Sequence, residues 1–128
     1  MPKPEAWSLV NFEPWQAAGL ALLAGMAVYL GLRQFRFRKV RMQVPDLMKA
    51  GAVVVDVRSR AEFASGSSRG SINIPLDELS RGLKKLDRSK PVILCCASGA
   101  RSAMAERVLK QVGFEQVFNA GSWANLSA

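Results

Sequence analysis

The sequence lacks histidine altogether, and this absence removes several classes of active site. The chain cannot hold a Ser-His-Asp triad, a Cys–His pair or a zinc ion bound through imidazole. Cysteine is scarce as well, because the only two are neighbours, Cys95 and Cys96. Two adjacent thiols supply neither the four ligands of a structural metal site nor the pairs of a disulfide framework. We therefore expect no metal site, and the thiols themselves are candidates for chemistry in a reducing compartment.

Positive charge is concentrated in one short block. The formal net charge is +8, and five bases with no acid fall within residues 33–41. The 87 residues after this block carry twelve bases and eight acids, which is a modest excess. A high pI of this origin does not indicate nucleic-acid binding, so we predict no nucleic-acid partner.

A long run without charge lies directly before the basic block. Residues 15–32 contain no charged side chain, and as a helix they would span about 27 Å, close to the ~30 Å hydrocarbon core of a bilayer. The alternatives are a buried helix and a cleavable signal peptide. However, the following domain is too small to surround an apolar helix, and the bases follow the run instead of preceding it. We predict a short extramembrane segment (1–14), a transmembrane helix (15–32) and a basic juxtamembrane linker (33–42).

The position of the basic block also predicts the orientation. Loops rich in lysine and arginine stay on the cytoplasmic side of a membrane, where they also meet anionic headgroups. We therefore predict a single-pass protein of a bacterial inner membrane that contacts the lipid bilayer. Its N-terminus would lie outside, and residues 43–128 would lie in the cytoplasm.

From residue 43 onward, short apolar runs alternate with amphipathic stretches. "AVVVDVR" and "PVILCC" predict two buried strands, and "QVFNAGSW" predicts a third. The stretches "VPDLMKAG", "SRAEFASG" and "RSAMAERVLKQVGF" predict helices. The first has Pro45 in its first turn and is ended by Gly51, and the second is capped by Ser59 and ended by Gly66. This alternation predicts an α/β fold with a parallel sheet covered by helices on both faces.

The two cysteines lie where the strand "PVILCC" ends. The small loop "ASGA" follows Cys96, and a helix begins near Arg101. Inward-pointing N–H groups in such a loop, together with the helix dipole, stabilise a thiolate and lower its pKa. Arg101 adds a planar positive charge that is suited to an oxyanion. The pattern predicts a cradle for a cysteine nucleophile.

Three segments of the sequence resemble the rhodanese-homology domain. They are "VVVDVRSRAEF", "GSINIPLDEL" and "VILCCASGARSA", which occur in that family's order and spacing. The resemblance implies a rhodanese-like parallel sheet flanked by helices, here preceded by one transmembrane helix, and a cysteine that becomes a persulfide. On that pattern Cys96 is the nucleophile and Arg101 closes the cradle. The other cradle residues are Ala97, Ser98, Gly99, Ala100 and Ser102, and possible auxiliary residues are Cys95, Asp56 and Arg58.

The resemblance implies a sulfurtransferase that needs no cofactor, with a small-molecule or protein sulfur donor and a thiol acceptor as partners. Two alternatives stay open. Counted from Cys95, the loop is C-x5-R, the longer phosphate loop of phosphatase-like and arsenate reductase-like enzymes; the domain could also be a non-catalytic docking module. We expect Asp56 and Arg58 to tie the end of their strand to neighbouring loops, and Glu62 to form a salt bridge. The histidine that is common after Gly66 in the family is replaced here by serine.

Overall fold

The computed structural model describes residues 13–126, in which helices and strands alternate along the chain. The helices are α1 (Pro14–Lys49), α2 (Arg60–Ser65), α3 (Leu79–Gly82) and α4 (Ala100–Gln111), and the strands are β1 (Val53–Asp56), β2 (Ile72–Asn73), β3 (Val92–Cys96) and β4 (Val117–Ser122). Short 3₁₀ turns over Leu76–Glu78 and Leu83–Lys85 flank α3, and a third, Trp123–Leu126, follows β4. The chain divides into two compact units, the first ending at Phe35 and the second beginning at Arg36.

In the first unit, α1 exposes apolar side chains. Trp15, Leu22 and Leu23 are 71%, 76% and 69% exposed, and the most apolar stretch of the helix has no buried residue. By length and composition, α1 is the one helix in the described part of the chain that could cross a membrane, and a signal sequence near the N-terminus would have the same properties. Residues 1–12 of the predicted extramembrane segment lie outside the described residues.

The same helix continues through the basic block into the second unit. We predicted a separate short helix beginning at Pro45, and this was wrong, because α1 runs through that proline. Val40, Val44 and Leu47 recur at helical spacing and pack against the sheet, so tertiary contacts hold this part of the chain helical. The predicted stop after this helix is confirmed, since Gly51 adopts a positive φ of 87°.

Four parallel strands form one sheet in the order β2-β1-β3-β4. One face packs against α4 and the helical turns around α3, in a core that includes Val55, Leu94 and Leu109. The other face has a smaller core, in which Val54 and Ile93 lie against the last turns of α1. The predicted α/β fold, with a parallel sheet covered on both faces, is confirmed.

Parallel pairing brings the carboxyl ends of the strands to one edge of the sheet. β1 ends there at Asp56 and β3 at Cys96. The chain then turns into α2 and α4 respectively, and α2 begins with a capping box between Ser59 and Glu62, as the sequence predicted for its start. This edge is where α/β proteins commonly bind ligands.

Candidate active site

A tight turn connects β3 to α4 directly after Cys96. Gly99 ends the turn with a φ of 95°, and α4 starts at the next residue. This left-handed conformation strains any residue with a Cβ atom, so the turn depends on glycine at this position. Ala97 and Ser98 are exposed, whereas Gly99 is buried. The small residues of the predicted cradle therefore form a short backbone loop around the end of the strand.

The sulfur atom of Cys96 is held by this loop. The Gly99 N–H donates a hydrogen bond to Cys96 Sγ at 2.9 Å, and Ser102 Oγ lies 3.4 Å from the same sulfur. Cys96 and Ser102 are almost completely buried, with 1% and 0% exposure. The loop and the first turn of α4 thus place two polar groups on one sulfur atom.

These contacts control the ionisation of Cys96. Burial raises its pKa, but hydrogen bonds from the Ser102 hydroxyl and from backbone N–H groups of Ser102, Ser98 and Gly99 outweigh burial, so the pKa lies below that of an ordinary thiol. This is the direction that the sequence predicted. A thiolate at this position is stabilised without any histidine.

Cys95 lies on the opposite face of the sheet, because successive side chains of a strand alternate. It belongs to the core that contains Val54 and Ile93, and its Sγ lies 3.8 Å from the carbonyl oxygen of Val55. Burial, followed by the nearby Asp56 carboxylate, raises the pKa of Cys95 to about 12. The pKa of Cys96 is therefore lowered and the pKa of Cys95 is raised, although the two residues are neighbours.

Arg101, expected to close the cradle, lies in the first turn of α4 and forms a bidentate pair with Glu62 of α2. Its Nη1 and Nη2 donate to the two carboxylate oxygens at 2.7 and 3.0 Å. The Arg101 hydrogen bond holds the pKa of Glu62 at about 2, so the pair stays ionised at physiological pH. The predicted salt bridge of Glu62 is confirmed, and its partner is the arginine of the cradle.

Asp56 and Arg58 form a second, buried ion pair beside this loop. Arg58 Nη2 lies 2.8 Å from Asp56 Oδ2 and donates to the Gly66 carbonyl at 2.6 Å. The Arg58 guanidinium also stacks over the ring of Trp123 at 4.5 Å. The expectation that these residues tie the end of β1 to neighbouring loops is confirmed.

Comparison with known proteins identifies the family. The model of the rhodanese-like domain matches residues 42–128, which is more than half of the chain. The chain belongs to the rhodanese-like family. The matched range contains all three segments that carry the resemblance, from β1, β2 and the Cys96 loop.

Relatives of this rhodanese-like chain include named sulfurtransferases. Thiosulfate sulfurtransferase GlpE of Stutzerimonas stutzeri is 32% identical over 77 residues, covering 60% of this chain and 71% of the relative. Rhodanese domain-containing protein CG4456 of Drosophila melanogaster is 39% identical over 85 residues, covering 55% and 77%. The chain covers 36% of one Bacillus subtilis relative and 82% of another. This family membership supports sulfur transfer in general.

A solved structure resembles the second unit as well. A rhodanese with anions from E. coli aligns with a TM-score of 0.55 and 29% identity, over 58% of this chain and 89% of that one. The rhodanese-like fold of the parallel sheet is therefore supported by both sequence and structure.

One residue of the rhodanese-like site was missed by sequence reasoning. Asn119 of β4 accepts a hydrogen bond from Ser102 Oγ at 2.7 Å and from the Gly121 N–H at 3.0 Å, while its Nδ2 donates to the Gly99 carbonyl at 3.0 Å. It thus links the cradle loop and α4 to the neighbouring strand. The available signal was a polar amide side chain in the middle of the predicted strand "QVFNAGSW".

Proposed function

We propose that this rhodanese-like domain moves a sulfur atom from thiosulfate or a persulfide donor to a thiol or cyanide acceptor, through a persulfide on Cys96. The observation that carries the proposal is the placement of Cys96 Sγ. The sulfur lies at the carboxyl edge of a parallel sheet, 2.9 Å from the Gly99 nitrogen and beside Ser102. Its pKa is lowered by these hydrogen bonds despite burial. An ionised thiol in this setting is a sulfur nucleophile.

The proposed reaction has two balanced steps. In the first, the Cys96 thiolate attacks the outer sulfur of thiosulfate, an S–S bond forms, the donor's own S–S bond breaks, and sulfite leaves with the electron pair. In the second, cyanide or an acceptor thiolate attacks the outer sulfur of the Cys96 persulfide and the thiolate is restored. Neither step needs an external oxidant or reductant.

The backbone loop would bind the charge that moves during these steps. Its N–H groups, with the N-terminus of α4, would hold the persulfide anion and the donor oxygens. The pair with Glu62 engages one hydrogen on each of two nitrogens of Arg101, and the remaining guanidinium N–H groups would face the donor's anionic end. Glu62 would thus fix the orientation of the arginine rather than remove its charge.

The Ser102 hydroxyl would change its hydrogen-bond partner when Cys96 ionises. Its single hydroxyl proton is donated to Asn119 Oδ1 at 2.7 Å, which leaves the oxygen to accept from a Cys96 thiol. When Cys96 is ionised, the hydroxyl proton can turn to the sulfur, while Asn119 Oδ1 still accepts from the Gly121 N–H. The thiolate therefore gains a donor without leaving Asn119 unpaired.

The competing interpretation that uses Cys95 receives less support. Cys95 is fully buried on the far face of the sheet, and its pKa is raised to about 12. A phosphatase-like loop counted from Cys95 would need that sulfur to face Arg101 instead. Cys96 is itself only 1% exposed, which suits the terminal atom of a slim donor better than a bulky phosphate ester.

The decisive test is detection of the intermediate. Full-length protein in detergent, treated with thiosulfate and analysed by mass spectrometry without reductant, should gain about 32 Da, one sulfur atom, on Cys96. The adduct should disappear when cyanide is added. Cys95→Ala is the matched control, and it should form the same adduct because its thiol lies on the other face. A protein that never acquires sulfur would favour the docking module.

The membrane anchor and its orientation are part of this proposal. The exposed apolar surface of α1 and the five bases at residues 33–41 support an anchor with its N-terminus outside and the rhodanese-like domain in the cytoplasm. A reducing cytoplasm would keep the Cys96 thiolate available to persulfide donors.

Topology can be tested with cysteines placed at exposed positions. In a background with Cys95→Ala and Cys96→Ser, Lys3→Cys should be labelled by a membrane-impermeant maleimide on intact bacterial cells, whereas Glu115→Cys should be labelled only after the membrane is opened. Glu115 is chosen because it is exposed in the second unit. A permeant maleimide should label both and controls for reactivity. The reverse pattern would place the domain outside the cytoplasm.

A further inference from the structure

The part of α1 that belongs to the second unit carries one buried side chain. Phe37 is the only buried residue of this helix among its described positions, with 7% exposure. It lies within the basic block, between Arg36 and Arg38, where neighbouring side chains are exposed. The residues that the Phe37 ring contacts therefore fix its position.

The residues that this ring contacts include two glycines, Gly99 of the Cys96 loop and Gly121 of β4. A Cβ atom added at Gly99 would lie 2.8 Å from Phe37 Cε2, and one added at Gly121 would lie 2.7 Å from Phe37 Cδ2. Both glycines have positive φ angles, 95° and 80°. The ring thus occupies the space where side chains of these two residues would stand, and it packs directly on their backbone.

Gly99 needs such support, because it is the N-cap residue of α4 and has no side chain with which to cap the helix. Its N–H is the group that donates to Cys96 Sγ at 2.9 Å, and its carbonyl accepts from Asn119 Nδ2 at 3.0 Å. These hydrogen bonds hold Gly99 on the sides that face the sulfur and β4. The Phe37 ring packs against the remaining side, where a Cβ atom would lie. Removing the ring would leave an unfilled space beside the loop.

Phe37 is not part of the matched family domain, which begins at residue 42. We propose that Phe37 is a positioning residue: its ring holds Gly99 so that the Gly99 N–H stays directed at Cys96, a role that rests on the proposed function of Cys96 as nucleophile. The part of α1 within the second unit therefore supports the cradle.

The test measures the ionisation of Cys96 and does not require sulfur transfer. Full-length protein in detergent, in the Cys95→Ala background, is alkylated with iodoacetamide across a pH series, and the midpoint of the rate gives the pKa of Cys96. Along Phe37→Leu, Phe37→Val and Phe37→Ala, the midpoint should rise progressively, reaching about one pH unit for alanine, the size expected when a hydrogen bond to an ionised group weakens. The sign is upward because a thiolate that loses a donor is less stable.

Phe35→Ala is the matched control on the same helix, because Phe35 is 66% exposed. Its midpoint should equal that of the parent protein. The charged groups at the carboxyl edge of the sheet (Asp56, Arg58, Glu62 and Arg101) are unchanged in every variant. A shift of the midpoint therefore reports a change in the loop that contacts Cys96. If Phe37→Ala does not fold, the leucine and valine variants decide.

Two outcomes would overturn the proposal. One is a set of Phe37 variants that unfold at lower temperature while the Cys96 midpoint stays constant, since this would make the ring structural only. The other is a shift of equal size in Phe35→Ala. If mass spectrometry finds no persulfide on Cys96 after thiosulfate treatment, the proposed function is refuted. The alkylation midpoints would still show whether Phe37 positions the Gly99 N–H.

Discussion

Sulfur transfer from thiosulfate to cyanide by the full-length protein is expected to fall at least about a thousandfold when Cys96 is replaced by serine. Serine preserves the size of the side chain and a polar contact to Ser102, so the fold should persist. Its hydroxyl is not ionised at neutral pH and cannot carry a sulfane sulfur. The measurement is thiocyanate formation per folded protein, with folding checked by thermal unfolding.

Cys95→Ala is the control for this prediction, because it removes the other thiol while leaving the cradle intact. Its turnover should stay close to that of the parent protein, although loss of a buried sulfur will lower stability modestly. An inactive Cys95→Ala beside an active Cys96→Ala would reverse the assignment and make the longer C-x5-R loop the functional one. Hydrolysis of an aryl phosphate would then be the reaction to test.

Much of the second unit could be predicted from local sequence. The apolar runs around Val54 and Ile93 predicted β1 and β3, because strands buried on both faces are continuously apolar. Ser59 predicted the start of α2, because an N-cap residue acts on backbone N–H groups that are close to it in sequence. Successive side chains of a strand alternate, which allows only one of the two thiols to face the loop, and the structure has Cys96 and Cys95 on opposite faces of β3.

The remaining features depend on partners that are distant in sequence. Arg101 was expected to face the cradle, and its pairing with Glu62 could not be derived because 39 residues separate them. Asn119 approaches Gly99 and Ser102 only because β4 pairs with β3. Such contacts follow from strand order, which no local pattern encodes.

Phe37 was obscured for a different reason. The five bases around it made residues 33–42 resemble a solvent-exposed linker, so a buried ring was not expected there. The spacing from Phe37 to Val40 and Val44 was the available signal, because it places all three on one side of a helix. In this segment the charge pattern indicated an exposed linker, whereas the apolar spacing indicated a packed helix. The segment is helical because Phe37, Val40 and Val44 pack against the rest of the second unit.

The turn at Gly99 is the second place where a single change should have a large effect. Gly99→Ala is expected to lower kcat/KM about a hundredfold, comparable to removal of one preorganised N–H donor at an active site. The φ of 95° costs an alanine about 1–2 kcal/mol, and its Cβ would stand 2.8 Å from Phe37 Cε2 and 3.2 Å from Gly121 Cα. The loop must then move, which carries the Gly99 N–H away from Cys96 Sγ.

Gly113→Ala separates backbone strain from the effect on the loop. Gly113 has a similar φ of 100°, but an added Cβ there meets no atom within 4 Å. We expect Gly113→Ala to lose about 1–2 kcal/mol of unfolding free energy from strain alone, with kcat/KM per folded molecule unchanged. Denaturant unfolding and thiocyanate formation measured on both variants provide the comparison. If Gly99→Ala loses stability to the same extent as Gly113→Ala and yet retains full kcat/KM, the Gly99 N–H is not required for sulfur transfer.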